Sequence, residues 1–157
     1  MKYKEKFEEA GIPAIGVTCT NPQVTAGNTH YFRICFLDPF QGTVLANYAY
    51  NELGVTTAYT LAMLGSDYDQ GLVYYFTEAF EALGGVVIDE TFPNGTSDFT
   101  SYLTNASMME AGVFFCPVSI AYSTQIIAQV ASNQYGGQSI SLTHLAPFVQ
   151  VSREKIR

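Results

Sequence analysis

The sequence predicts an α/β fold: a mostly parallel β-sheet with helices on both faces, in three αβα layers. Three observations carry this. Strand-like and helix-like segments alternate from residue 31 to residue 142, and such alternation builds a parallel sheet through helical crossovers. The segments 57–64 and 113–117 are apolar at odd and even positions alike, as in central strands covered on both sides. Cap and stop residues bound the helical stretches: Asp38-Pro39 and Ser66-Asp67 at starts, Gly54 and Gly84-Gly85 at ends.

In chain order, residues 2–10 alternate Lys and Glu around Tyr3 and Phe7, which fall one turn apart on the inner face of a short surface helix. Gly11 stops it, with Pro13 just beyond. Ala14-Ile15-Gly16-Val17 reads as a short buried strand. Residues 18–28 form a polar loop with turn signals at Asn21-Pro22 and Gly27-Asn28. Residues 31–36 make a second strand. Asp38 then caps a helix that runs to residue 53, with Val44, Leu45, Tyr48 and Ala49 inward. Strand 57–64 leads to a helix over 68–83, strand 86–92, a turn at 93–97 and a short helix over 98–105. Strand 113–117, a helix over 123–134 ended by Gly136-Gly137, and strand 139–142 complete the series. The tail beyond Ala146-Pro147 has no clear period. Three units are expected: a helix-strand-loop unit at 1–30, the main domain at 31–145 and the tail at 146–157.

The 157 residues suit one domain, and with 48% apolar residues a core can form. Charged residues are too sparse for disorder. The net charge is −7, and Lys and Arg cluster at the two ends: Lys2, Lys4 and Lys6, then Arg153, Lys155 and Arg157. No basic stripe suits nucleic acid, so no nucleic-acid partner is expected. Cys19, Cys35 and Cys116 are far apart and form no metal motif. No apolar run follows Met1, so a secretion signal is not expected in this chain. No stretch is long enough to cross a membrane.

Tests for catalysis give nothing. Neither GxGxxG nor GxxxxGK[ST] occurs, and no GxSxG elbow is present. Gly65-Ser66-Asp67 lies between a strand and a helix and reads as an ordinary cap. His30, at a strand entry, and His144, past the last strand, read as structural. No metal and no cofactor are expected. Ligands of such sheets bind beyond the carboxyl ends of the strands. That rule points to residues 18–21, Asp38, residues 65–68 and residues 117–119.

A series of motifs then carries a resemblance. Thr20-Asn21-Pro22-Gln23-Val24-Thr25 precedes Tyr31-Phe32-Arg33-Ile34-Cys35-Phe36-Leu37-Asp38-Pro39-Phe40-Gln41-Gly42. Ser66-Asp67-Tyr68-Asp69-Gln70-Gly71-Leu72 follows, then Glu81-Ala82-Leu83-Gly84-Gly85 with Val86-Val87, then Asp98-Phe99 with Leu103. In order and spacing this resembles the type I periplasmic solute-binding proteins of ABC importers, of the leucine/isoleucine/valine-binding kind, over residues 5–140.

The resemblance implies two flavodoxin-like lobes closing on a ligand in their cleft. It implies that this chain is truncated and supplies the last helix-strand unit of the first lobe's first half, a crossing near residues 36–42 and most of the second lobe. It implies an apolar amino acid or a related amide as ligand, an ABC permease as partner of the intact protein, an extracytoplasmic location and no enzymatic activity. The ligand residues implied are Thr18, Cys19 and Thr20 in the loop, Tyr68 against the aliphatic part, and Ser119 after the next strand. Two departures stand out. Cys19 replaces the usual Ala or Ser. Thr143-His144-Leu145 stands where an acidic residue usually pairs with the ligand ammonium. One lobe alone should bind weakly or not at all, and the unit at 1–30, lacking a sheet to join, is expected to make a homodimer. A ligand-sensing regulatory domain of the same fold and a small flavodoxin-like enzyme remain as alternatives.

Overall fold

The computed structural model describes residues 4–132, 138–143 and 146–152. Two sheets form. The smaller pairs β1 (Ala14–Gly16) with β2 (Tyr31–Arg33) in parallel, Ile15 opposite Phe32. The larger has five strands: β3 (Thr57–Met63), β4 (Val86–Phe92), β5 (Val113–Cys116), β6 (Gln138–Thr143) and β7 (Ala146–Ser152), in spatial order β4-β3-β5-β6-β7. All its pairings are parallel except β6 with β7.

The five α-helices among the described residues are α1 (Lys4–Ala10), α2 (Asp38–Asn47), α3 (Asp67–Ala82), α4 (Thr100–Met108) and α5 (Ile120–Ser132). Strand alternation sorts the core into two layers. Ala58 and Ala62 of β3 and Val113 and Phe115 of β5 face α2 and α3, meeting Leu45, Leu72, Phe76 and Phe80. Tyr59 and Leu61, with Phe114 and Cys116, face the other way, onto Leu103 of α4 and Ile126 of α5. Small residues on β3 leave room for large rings. Phe76 stacks on Phe115 at 4.3 Å between centroids, and Tyr59 on Phe114 at 5.4 Å. Burial of each such side chain contributes roughly 1.5–3 kcal/mol.

Local chemistry sets the helix limits. Ser66 caps α3: its Oγ accepts from the Asp69 amide at 3.2 Å and donates to Asp69 Oδ1 at 2.7 Å. Asp69 Oδ2 in turn accepts the Met63 amide at 3.2 Å, joining the cap to the end of β3. Gly84, at φ +95°, ends α3 with bonds from Gly84 N to Glu81 O and from Gly85 N to Phe80 O. The turn after β4 is held by α5: Tyr122 Oη donates to Asn94 Oδ1 at 2.7 Å, and Gln129 Oε1 accepts the Phe99 amide at 2.7 Å.

The α/β class with a mostly parallel, helix-covered sheet is as the sequence predicts. The structure differs at particular elements. Residues 31–33 pair with β1 rather than joining the main sheet, because the larger sheet begins only at β3. The helix expected over 38–53 is α2 followed by a π-helical stretch, Tyr48–Glu52. Val44, expected inward, is exposed, since α2 turns its Leu45-Ala46 side to α3. The segment read as an aperiodic tail contains β7, which pairs antiparallel on the sheet's margin with Pro147 near its start, where an edge strand tolerates proline. Tyr3, Gly136-Gly137, His144 and Leu145 lie outside the described residues.

Candidate functional site

The carboxyl end of β1 opens into a loop whose shape depends on one side chain. Between residues 7 and 152, Arg33 is the only Lys or Arg in the sequence. It sits in β2 and turns its guanidinium onto the loop. Nη1 donates to the carbonyls of Cys19, Thr20 and Asn21 at 2.9, 3.2 and 2.9 Å. Nη2 donates to the Pro22 carbonyl at 3.0 Å and to Thr25 Oγ1. Asn21 caps the 3-10 turn Pro22–Val24 by accepting the Gln23 amide at 2.9 Å.

The same loop touches the first turns of α2 and α3. The Asp38 amide donates to Thr20 O at 3.0 Å, and Asn21 Nδ2 donates to Asp67 O at 3.4 Å. A Cβ at Gly71 would lie 3.2 Å from Asn21 Nδ2, so glycine there lets the loop approach α3. Tyr68 follows Asp67, half-buried and packed on the α2/α3 core layer. Burial, then the Asp38 and Asp69 carboxylates, push its phenol up to about 12, against an opposing Gln41 hydrogen bond. Tyr68 is therefore a neutral ring with a protonated hydroxyl at ordinary pH.

The expected site residues divide. Thr20 lies against the start of α2, and Tyr68 is the neighbour of Asp67, which Asn21 contacts. The Thr20 hydroxyl oxygen is buried without a hydrogen-bond partner among the described residues. Thr18 is exposed at the loop's start, where its carbonyl accepts the Thr20 amide at 3.1 Å. Cys19 turns its thiol back toward the small sheet, 3.8 Å from the Tyr31 hydroxyl, so it offers the loop its backbone. Ser119 stands beyond β5, one strand from β3, with its carbonyl accepting the Tyr122 and Ser123 amides at the start of α5. No described hydrogen bond joins Ser119 to Tyr68 or to residues 18–21. Arg33 was not among the site residues the motifs pointed to. Its isolation from every other basic residue was the available signal.

The groups gathered here are backbone carbonyls and amides, hydroxyls and one aromatic face. Among the described residues no group of three or more His, Cys, Asp and Glu side chains gathers as metal ligands would. No described helix is long and apolar enough to cross a membrane. A sequence profile of the periplasmic binding proteins matches residues 1–150. The chain belongs to the periplasmic binding protein family.

Among the periplasmic binding proteins and their relatives, an amino acid binding protein of Pseudomonas aeruginosa is 35% identical over 115 residues, 71% of this chain and 30% of that protein. The crystal structure of a leucine binding protein, LivK, from Thermotoga maritima superposes with a TM-score of 0.84 at 30% identity, covering 88% of this chain and 39% of that one. The branched-chain amino acid binding protein LivJ of Streptococcus pneumoniae, in complex with isoleucine, gives 0.78 at 25% identity, over 88% and 39%. The resemblance drawn from the motifs thus holds. The chain spans 30% to 39% of the length of these relatives.

Proposed function

We propose that this chain forms one wall of the ligand cleft of a solute-binding protein that serves an ABC importer outside the cytoplasm. The ligand is an apolar amino acid of the leucine, isoleucine or valine type, or a related amide. One observation carries the reading: the Arg33-held loop lies against the starts of α2 and α3, beside Tyr68, at the carboxyl end of β1. In this reading Thr18 and Thr20 supply hydroxyl and backbone groups, Cys19 backbone groups only, Tyr68 an apolar ring, and Ser119 a hydroxyl from the next strand. Residues 143–145, Thr-His-Leu, carry no carboxylate for the ligand ammonium, which favours ligands recognised through their acid and side chain.

The test is a ¹H–¹⁵N NMR titration of the full chain with leucine, isoleucine and valine, with lysine as control. Shift changes confined to Thr18, Cys19, Thr20, Tyr68 and Ser119, saturating only weakly, are expected. No change, or an equal response to lysine, rejects the ligand class. Sub-micromolar affinity rejects the single-wall reading.

A second copy is the partner proposed for the small sheet. Ile15, Val17, Phe32 and Ile34 make an uncharged exposed strip on a chain whose net charge is −7, so this is a face on which two copies meet without repulsion. Sedimentation equilibrium giving a monomer at all concentrations rejects it.

A further inference from the structure

We propose that Arg33 is the positioning residue of this site: it fixes the orientation of the loop peptides and supplies the positive field for the ligand's anionic group. The proposal rests on the reading of residues 18–20 as ligand-binding. Four successive carbonyls, from Cys19 to Pro22, converge on one guanidinium. Parallel carbonyl dipoles this close repel one another unless a cation sits at their negative ends. Arginine suits the task because its planar fork offers five fixed donors and does not lose its charge.

Two consequences follow from peptide geometry. N–H and C=O of one peptide unit point in opposite directions, so directing Thr20 O at Arg33 turns the Asn21 N–H to the opposite side. Thr20 O also accepts the Asp38 amide at 3.0 Å, so Arg33, the loop and the start of α2 share one oxygen. The charge itself is not cancelled. The hydrogen-bond partners of Arg33 are neutral oxygens. An otherwise acidic chain thus keeps its one internal cation behind this loop, where it favours a carboxylate over a neutral group.

The experiment compares the full chain with Arg33→Met and Arg33→Lys, titrated with leucine and with leucinamide, which lacks the carboxylate. In the unsubstituted chain leucine binds more tightly than leucinamide. R33M shifts the Thr20, Asn21 and Gln23 amide resonances without ligand, leaves those of Thr60 and Phe115 in place, and weakens leucine about tenfold, through the loss of the positive field and of the loop's orientation. Leucinamide binding changes little. R33K recovers part of the preference for leucine but leaves the loop amides displaced, because an ammonium lacks the fork. The proposal is overturned if R33M leaves the three loop amides unmoved, or weakens both ligands alike. If neither ligand perturbs the unsubstituted chain, the ligand-binding reading fails, and the loop amides of R33M alone decide whether Arg33 orients them.

Discussion

Strands β1 and β3 both carry apolar residues on both faces, yet their surroundings differ. On β3, Ala58 and Ala62 lie under α2 and α3, while Tyr59 and Leu61 lie under α4 and α5. Around β1 and β2 a single helix covers one face, through the edge contact of Phe7 with Tyr31 at 5.8 Å. Ile15, Val17, Phe32 and Ile34 stand 53–71% exposed. A parallel sheet is stable when both faces are dry, and two strands alone are marginal. Apolar patterning therefore specifies that a strand wants cover, and the number of helices within reach decides whether it has it.

Three measurements press on this difference. The largest effect is expected at Phe115, fully buried and stacked on Phe76. Phe115→Ala should cost about 3–5 kcal/mol in urea unfolding, whereas Ile34→Ala, at a dilution that keeps the chain a single copy, should change stability by less than about 0.5 kcal/mol. Comparable losses at the two positions would mean that the small sheet is covered in solution. Next comes Gly42, where an added Cβ would meet the backbone of Tyr75 and Phe76 at 2.8 Å. Gly42→Ala should cost about 1–3 kcal/mol by overpacking, read in the same unfolding experiment.

The smallest effect is local to the small sheet. Glu8 accepts from the Thr29 amide and hydroxyl at 2.8 and 2.7 Å and from the His30 amide at 3.2 Å. These bonds, those of Thr29 foremost, lower its pKa from 4.5 to about 2. A carboxylate depressed on folding stabilises above its unfolded value and loses that contribution as the pH falls toward the folded one. The protection factors of the Thr29 and His30 amides, taken against the free-chain exchange rate at each pH, should therefore fall as the pH drops from about 4.5 to about 2, while Thr60 and Phe115 stay protected. Glu8→Gln should remove that pH dependence. Equal loosening of both sheets would show them to be one cooperative unit.

Much of the fold was legible because local signals agreed with the tertiary structure. Strand β4 spans 86–92 as read, and β3, α3 and β5 fall within a residue of expectation at each end. In each, a cap or a glycine coincides with a change of apolar period. The rest depended on distant partners. Nothing within 31–33 says whether its neighbour is β1 or β3. The antiparallel β7 follows a proline that reads as a break. The π-helical end of α2 left no mark in the sequence, since Tyr48 and Ala49 keep a helical apolar spacing. Around the loop, motifs named Thr20 and Tyr68 as candidates, and the structure sets the loop against the starts of α2 and α3. The Arg33 clamp was not so named, because five bonds to backbone and hydroxyl oxygens across 8 to 14 residues of sequence leave no local pattern.

Gly42 has a mechanical consequence. By letting α2 seat on the backbone of α3, it welds that helix to the large sheet. The connection to the small sheet then narrows to residues 34–37, with the Thr20–Asp38 bond at its near end. Any swing of one sheet against the other must turn torsions in those four residues and stretch the Thr20–Asp38 and Asn21–Asp67 bonds. The loop at residues 18–21 sits close to that axle, where travel is least, and the far tips of the small sheet sweep the widest arc.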